Sequence, residues 1–299
     1  MIYKNKIPLS YIFNELKTPL FFVSLIAIFT AVLPFFFSSF LSNIPISIAT
    51  TLGVAISILL SYMINQSYER WWEARKIWGE IVNDSRTLVL QLQMYVDEGN
   101  QEIQNISYRQ VCWGYYLGQA LRKETSSKIP KRFLSEDDIK LVNDHKHKPL
   151  CLLSLQNMNI RELHKMGKID KFSQIKIEET LASLTASMGK CERIKNTVFP
   201  AIYRYGLHTT IYLFVIFLSL SVAFELQHFM LQFFILLIVS TVFFFLEKAA
   251  FRMQDPFENI PTDTPITSIA ETIESNILQL LGEDASSVTI NSANKFYVL

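Results

Sequence analysis

Apolar and polar residues are segregated along this chain in long blocks. From Pro19 to Phe37 no residue is charged. At 1.5 Å rise per residue that block covers roughly 28 Å as a helix, close to the hydrocarbon thickness of a bilayer. Pro34 falls near its far end, where a kink is tolerated. Residues 38–44 form a short uncharged turn, and a second apolar block follows from Pro45 to about Ile64. Its opening proline suits the first turn of a helix. Leu207–Phe224 and Phe229–Leu246 are two further blocks, separated by Glu225, Leu226, Gln227 and His228. So short a break predicts a tight hairpin, and the four blocks predict four membrane helices.

The polar stretches complete the outline. Residues 3–18, with Lys4, Lys6 and Lys17, read as an amphipathic lead-in lying on the membrane surface. Residues 66–205 are predominantly polar. They read as helix to about Asp97, a break at Gly99-Asn100, and a second helix over 101–123. A charged, loop-rich piece lies between Pro130 and Pro149, followed by helices over 157–164 and 173–193. In the last of these Ile175, Ile177, Leu181, Leu184 and Met188 recur at helical spacing. Asp263-Thr264-Pro265 predicts a cap and a first-turn proline. The helix it opens carries a stripe of Ile269, Ile273, Ile277 and Leu281 and ends at Gly282. Period-two patterns are scarce, so almost no strand is expected. The fold class is an all-α membrane protein, four transmembrane helices plus a helical body. The expected divisions are 1–65, 66–205, 206–247 and 248–299.

Charge adds an orientation. The two short turns contain no Lys or Arg; all 28 lie in the N-terminus, the 66–205 region and the C-terminal part. The positive-inside rule then puts both termini and the body in the cytoplasm. Formal net charge is +1 and there is no long basic block, so nucleic acid is not an expected partner. Cys112, Cys151 and Cys191 are odd in number and widely spaced, which gives no disulfide framework or zinc spacing and fits a reducing compartment. His145 and His147 fall on different faces of any helix, so they and Cys151 predict no metal site. No Ser/His/Asp grouping, phosphate-cradling glycine loop or paired-carboxylate site is present, so neither an enzyme nor a cofactor is expected. The first apolar run lacks a small-x-small cleavage site and reads as a retained anchor.

The second span has two faces. On a wheel of 100° per residue with Val54 at zero, Ser47, Thr50, Thr51, Ser57, Ser61 and Asn65 fall within about 60°. Ile58 and Tyr62 lie on the same side, near 40° and 80°. Leu52, Ile56, Leu59, Leu60 and Met63 form the opposite, lipid-like face. Two readings are open. Small hydroxyl residues let helices pack closely. Alternatively they wet a pore, with Val54, Ile58 and Tyr62, about 6 Å apart along the axis, as a hydrophobic constriction. One copy cannot enclose a pore with one such helix, so the second reading demands an oligomer.

Tyr68-Glu69-Arg70-Trp71-Trp72-Glu73-Ala74-Arg75, followed by Trp78-Gly79 and Asn83-Asp84-Ser85-Arg86, resembles the bacterial branch of the bestrophin family. Cys191-Glu192-Arg193-Ile194, with Asn196-Thr197 and Pro200, is similar to the family segment leading into the third span. Asp255-Pro256-Phe257-Glu258-Asn259 is similar to the segment after the fourth. The resemblance runs from about residue 10 to 285 and is weakest over 95–165. It implies a homopentameric channel for small monovalent ions, held in membrane lipid, with the pore on the five-fold axis.

The family's neck has three apolar positions on the second span, and counting back from Arg70-Trp71-Trp72 gives Val54, Ile58 and Tyr62. Ser47, Thr51, Ser61 and Asn65 would be the polar lining. Ile or Phe is common at the neck, so Tyr62 implies a wetter lower end and Val54 a wider upper ring. Counting back from Cys191 carries a second constriction, the cytosolic aperture, to Ile175; a core-facing isoleucine is the other reading. Arg70, Trp71, Trp72 and Glu73 make up the membrane-face motif. Trp71, Trp72 and Trp78 would anchor at the interface and pack between helices. Arg70, Glu73 and Lys76, and deeper Asp84 and Arg86, would form ion pairs. Glu225 is either a solvated turn residue or part of an outer vestibule. Animal members bind calcium in an acidic run after the Pro-Phe motif. Here Glu258 to Asp263 holds two carboxylates separated by a proline, a poor calcium site, so calcium gating is not expected. Animal members conduct anions and bacterial relatives include cation conductors; an uncharged neck decides neither. A membrane-anchored scaffold or signalling protein, whose body binds a cytosolic partner, is the reading from a different class. A transporter would show inverted repeats, which are missing.

Overall fold

The computed structural model describes residues 7–41, 44–97, 99, 101–124, 131–197, 200–225, 228–286 and 297. Lys4 and Lys6, the turn centres at 42–43 and 226–227, Pro130, the side chain of Glu225 and most of the tail lie outside these residues. The helices are α1 (Leu9–Leu41), α2 (Ile46–Tyr95), α3 (Gln101–Arg122), α4 (Glu136–Asp144), α5 (Lys148–Lys165), α6 (Lys171–Asn196), α7 (Ala201–Glu225), α8 (Phe229–Gln254) and α9 (Ile266–Leu280). Among the described residues there is no strand. Helices α1, α2, α7 and α8 each contain a segment long and apolar enough to cross a membrane. The chain divides into two compact units, one of residues 4–71 and 198–254, the other of 72–197 and 255–299.

The first unit is the membrane unit. Leu16, Val23 and Ala27 of α1, Ile56, Leu60 and Met63 of α2, Leu207 and Ile211 of α7, and Leu236 and Phe244 of α8 form one core. Close approach is built in by small residues, as membrane packing requires. Thr30 Oγ1 and Ser219 Oγ share a 2.5 Å hydrogen bond between α1 and α7. A Cβ at Gly53 would stand 3.2 Å from the Phe214 ring. Phe21, Phe22, Leu25, Ile28, Phe29 and Val32 remain exposed along α1, a helical stripe compatible with lipid.

Three expectations for this unit are corrected. The surface lead-in is not separate: α1 runs from Leu9 through Pro19 and Pro34 without a break. Packing outweighs the lost backbone donors, since Leu16 is buried and Glu15 is held by Arg252 of α8 at 2.6 Å. Second, the lipid-like face of α2 is a core face: Ile56, Leu60 and Met63 are buried within this unit. Third, α8 continues past Leu246 to Gln254, because Glu247 is buried against a partner instead of marking the span's end.

The second unit is the helical body. Trp78, Ile81 and Leu88 of α2, Trp113 and Leu117 of α3, Leu152 and Ile160 of α5, Ile177 and Leu184 of α6, and Ile273 and Ile277 of α9 share its core. Trp78 is therefore a core residue and not an interfacial anchor. A buried polar chain crosses α2, α3 and α5: Gln156 Nε2 donates to Gln110 Oε1 at 3.2 Å, and Gln110 Nε2 donates to Ser85 Oγ at 2.8 Å. Arg109 grips Asp138 with two 2.9 Å bonds, fixing α4 to α3.

The piece expected to be loop between Pro130 and Pro149 is mostly helix. Ser135 Oγ accepts from the Asp138 amide at 3.1 Å and starts α4. His147 Nδ1 accepts from the Leu150 amide at 3.2 Å and starts α5, where Pro149 sits in the first turn and has no amide to lose. The helix expected over 157–164 is thus the second half of α5. At α9 the proline is the cap position itself, without a side-chain cap, and Asp263 is turned inward. Gly282 ends α9 with φ +74°, as its position predicts.

Helices α3 and α9 meet at Gly118, where a Cβ would stand 2.6 Å from Ile266 Cγ2. Gly118→Val should therefore lower unfolding stability by about 1–3 kcal/mol through overpacking. At Gly189 of α6 a Cβ would meet nothing within 4 Å. Gly189→Ala should raise stability by about 0.5–1 kcal/mol. Thermal unfolding in detergent measures both; a Gly118→Val variant that melts with the wild type would contradict the close α3–α9 contact.

Candidate pore lining

The upper half of α2 separates its two faces cleanly. Ile56, Leu60 and Met63 are fully enclosed, while Val54, Ile58 and Tyr62 are 57%, 66% and 56% exposed. Ser47, Thr51, Ser61 and Asn65 share the exposed side. Thr51 Oγ1 donates to the Ser47 carbonyl at 2.8 Å, and Ser57 Oγ donates to the Gly53 carbonyl at 2.8 Å. These bonds satisfy each hydroxyl proton within the helix and leave oxygen lone pairs turned outward, a mildly polar wall that water can wet. An open groove of about 970 Å³ beside this face is lined by Ile58, Ser61, Tyr62 and Asn65 with Phe243, Leu246 and Met253 of α8. The Tyr62 ring leans on Tyr203 of α7, centroids 6.3 Å apart, which fixes the lowest of the three positions.

The membrane-face motif separates into distinct jobs. Arg70 Nε donates at 2.9 Å to the carbonyl of Gln254, the last residue of α8. It satisfies an orphan carbonyl and complements the negative helix end. Tyr68 and Trp71 stack at 6.0 Å, and Trp72 is exposed. Glu73 pairs with Arg193 of α6 at 2.7 Å. Asp84 and Arg86 bond to neutral groups: Ser183 Oγ donates to Asp84 at 2.7 Å, and Arg86 Nε donates to Asn276 Oδ1 at 2.7 Å. The ion pairs expected of these two residues are replaced by those bonds. Ile175 is 42% exposed while Ile177, Leu181, Leu184 and Met188 of the same helix are buried. It is not a core-facing isoleucine within this chain.

One pair escaped the sequence reading. Glu247 is 0% exposed within the membrane unit, its Oε1 2.8 Å from His208 Nδ1, and its Oε2 has no partner among the described residues. The only signal was a carboxylate directly after an apolar run, which looked like the run's end. Such a buried carboxylate is costly unless paired, so the contact fixes how α7 lies on α8.

The acidic run after α8 is folded onto itself. Lys195 holds Asp255 at 2.5 Å, and the Ile260 amide donates to Asp263 Oδ2 at 3.3 Å. Burial pushes Asp263 up to about 6, against the pull of the Ile260, Asn259 and Glu258 amides, with nearby Asp255 adding to the rise. His147, a residue weighed for metal, has Nδ1 on the Leu150 amide and Nε2 2.6 Å from Glu192. Among the described residues no group of three metal-ligating side chains occurs. All three cysteines are buried, and none forms a disulfide among the described residues. Burial, the largest cause, pushes the Cys112 and Cys191 thiols up to about 12.

A helical membrane protein with a polar-faced span continuing into a helical body is the class this geometry defines. The family model for the bacterial and fungal bestrophin proteins matches residues 6–279. The chain belongs to that family. Over 234 residues it is 30% identical to a Salmonella typhi protein named voltage-dependent anion channel-forming protein YneE, covering 78% of this chain and 75% of that one. The protein of that name from Escherichia coli K12 is 29% identical over 232 residues, with the same coverage. The crystal structure of a bacterial bestrophin homologue from Klebsiella pneumoniae superimposes with a TM-score of 0.83 at 26% identity, covering 89% of this chain and 98% of that one. Family and relatives point to an ion channel and not an enzyme.

Asp263 gives a pH test. Its native pKa of about 6 lies above the ordinary 3.8. The folded chain therefore binds more protons between those values, and stability should rise as pH falls through about 6 towards 4, by up to about 3 kcal/mol. Asp263→Asn should remove this slope. Melting temperatures of both proteins between pH 4 and 8 measure it, and parallel profiles would exclude the assignment.

Proposed function

We propose that the chain is a subunit of a homopentameric channel that passes small monovalent anions through a neck formed by Val54, Ile58 and Tyr62. The carrying observation is the sidedness of α2: its Leu/Ile/Met face is consumed by the membrane unit's own core, and its hydroxyl-bearing face with three large apolar residues is left bare. In an isolated membrane helix bundle a bare Ser/Thr/Asn face would be the costly one to leave towards lipid. Five copies around an axis remove that cost by turning the face to water. The Val54, Ile58 and Tyr62 rings then narrow the path and gate it by dewetting.

Ser47, Thr51, Ser61 and Asn65 line the wetted parts, and Ile175 stands at the cytosolic aperture. Residues 4–71 and 198–254 supply the spans, and 72–197 with 255–299 the cytoplasmic body, both termini inside an inner membrane. The names of the relatives, voltage-dependent anion channel-forming proteins, favour anions over a sodium-type cation. Neutral neck rings contribute no sign of their own, so the sign is set elsewhere along the path.

Mass in detergent distinguishes this from a scaffold: a species of five 34.6 kDa chains is expected, and a monomer excludes the channel. Replacing Val54, Ile58 and Tyr62 together by Ala should raise ion flux in proteoliposomes several-fold; unchanged flux would remove the neck from these residues. Reversal potentials under a KCl gradient should lie towards the chloride limit.

A further inference from the structure

The part of α2 inside the helical body also keeps one arc bare. Its inner side, including Ala74, Ile77, Trp78 and Ile81, is buried in the core. One flank is fastened to α6: Arg193 binds Glu73, Lys190 binds Glu80 at 2.9 Å, and Thr180 Oγ1 donates to Gln91 at 2.9 Å. The other flank is fastened to α9, through Arg86 on Asn276 and Gln93 Nε2 on the Leu280 carbonyl at 2.6 Å. Between the flanks Trp72, Lys76, Asn83, Thr87, Leu90 and Met94 are exposed. Their spacing of three, four or seven puts them on one face. Lys76 follows Ile58 by eighteen residues on α2, a whole number of helical turns at 3.6 residues each.

We propose that Lys76 faces the permeating ions below the neck, where its five copies form a cationic ring that concentrates small anions and sets charge selectivity. This rests on the pentameric pore reading above. Among the described residues Lys76 meets no carboxylate within ion-pair distance. The two that helical spacing offers it, Glu73 and Glu80, are taken by Arg193 and Lys190. The Lys76 side chain is therefore left to solvent. A ring of like charges on a low-dielectric wall raises the local concentration of counter-ions. Glu69, seven residues earlier on α2 and also exposed, carries the opposite sign, so the two positions should act in opposite directions.

The test uses full-length protein in liposomes under a KCl gradient. Lys76→Glu should move the reversal potential towards the potassium limit and reduce chloride conductance several-fold, with Lys76→Gln between it and wild type. Glu69→Gln should move the potential towards the chloride limit. Lys140, exposed on α4 and paired with Asp137, is the control, and Lys140→Gln should change nothing. A second readout is Lys76→Cys treated with water-soluble thiol reagents of either charge. A negative adduct should reduce chloride current and a positive one restore it. The buried native cysteines, two of them with thiols near 12, leave a silent background. Wild-type selectivity in a conducting Lys76→Glu channel, with Lys76→Cys current indifferent to both reagents, overturns the role of Lys76 alone. A wild-type protein that carries no current overturns the pore reading and this inference together.

Discussion

Everything in this molecule is arranged around the division of surface on α2. A single unbroken helix of 50 residues has all its interior backbone groups paired within itself, so its sides are free to be used separately. Near its start, one side is consumed by apolar packing with α1, α7 and α8 residues in the membrane unit's core. Further on, the core side is consumed by α3, α5, α6 and α9 residues in the body's core. Polar bonds from α6 and α9 then occupy the flanks of the lower half. What is left in each half is an arc that the chain itself does not cover. An arc of hydroxyls cannot be left to hydrocarbon without cost, and that asymmetry is what gives the helix a functional direction.

The remaining polar contacts keep the neighbours of α2 in place. Arg70 closes the end of α8, His208 and Glu247 join α7 to α8, and Glu15 and Arg252 join α1 to α8. Each satisfies a charge that would otherwise be stranded near hydrocarbon. The Thr30–Ser219 bond and the Gly53–Phe214 contact do the same work with small groups. Register between the spans is therefore specified by few residues, and most of the lipid-facing phenylalanines contribute area without specificity.

Much of this was legible beforehand. The four spans, the long continuation of α2, the 101–123 helix and the α9 stripe follow from block length and period, the strongest local signals. The polar face of α2 was visible too, because Ser, Thr and Asn at helical spacing inside an apolar run have few other causes. Legibility failed where a residue's meaning depends on a distant partner. Pro149 and Pro19 look like breaks, but one opens a helix and the other is carried through by packing. Leu60 and Met63 look like lipid residues because lipid and a protein core select the same side chains. Glu247 looks like the end of a span until His208 stands beside it. Trp78, read with Trp71 and Trp72 as one motif, belongs to a different environment six residues on.

The junction at Gly118 has a consequence for how the chain is made. Ile266, Ile269, Ile273 and Ile277 complete the body's core, yet α7 and α8 separate them in sequence from the rest of it. During synthesis α3, α5 and α6 emerge with the face that receives α9 still open. That face stays uncovered until α7, α8 and then α9 itself have been made. Closure of the body therefore waits for the last of its helices, and a chain ending before Ile266 leaves the apolar residues that meet α9 without their cover.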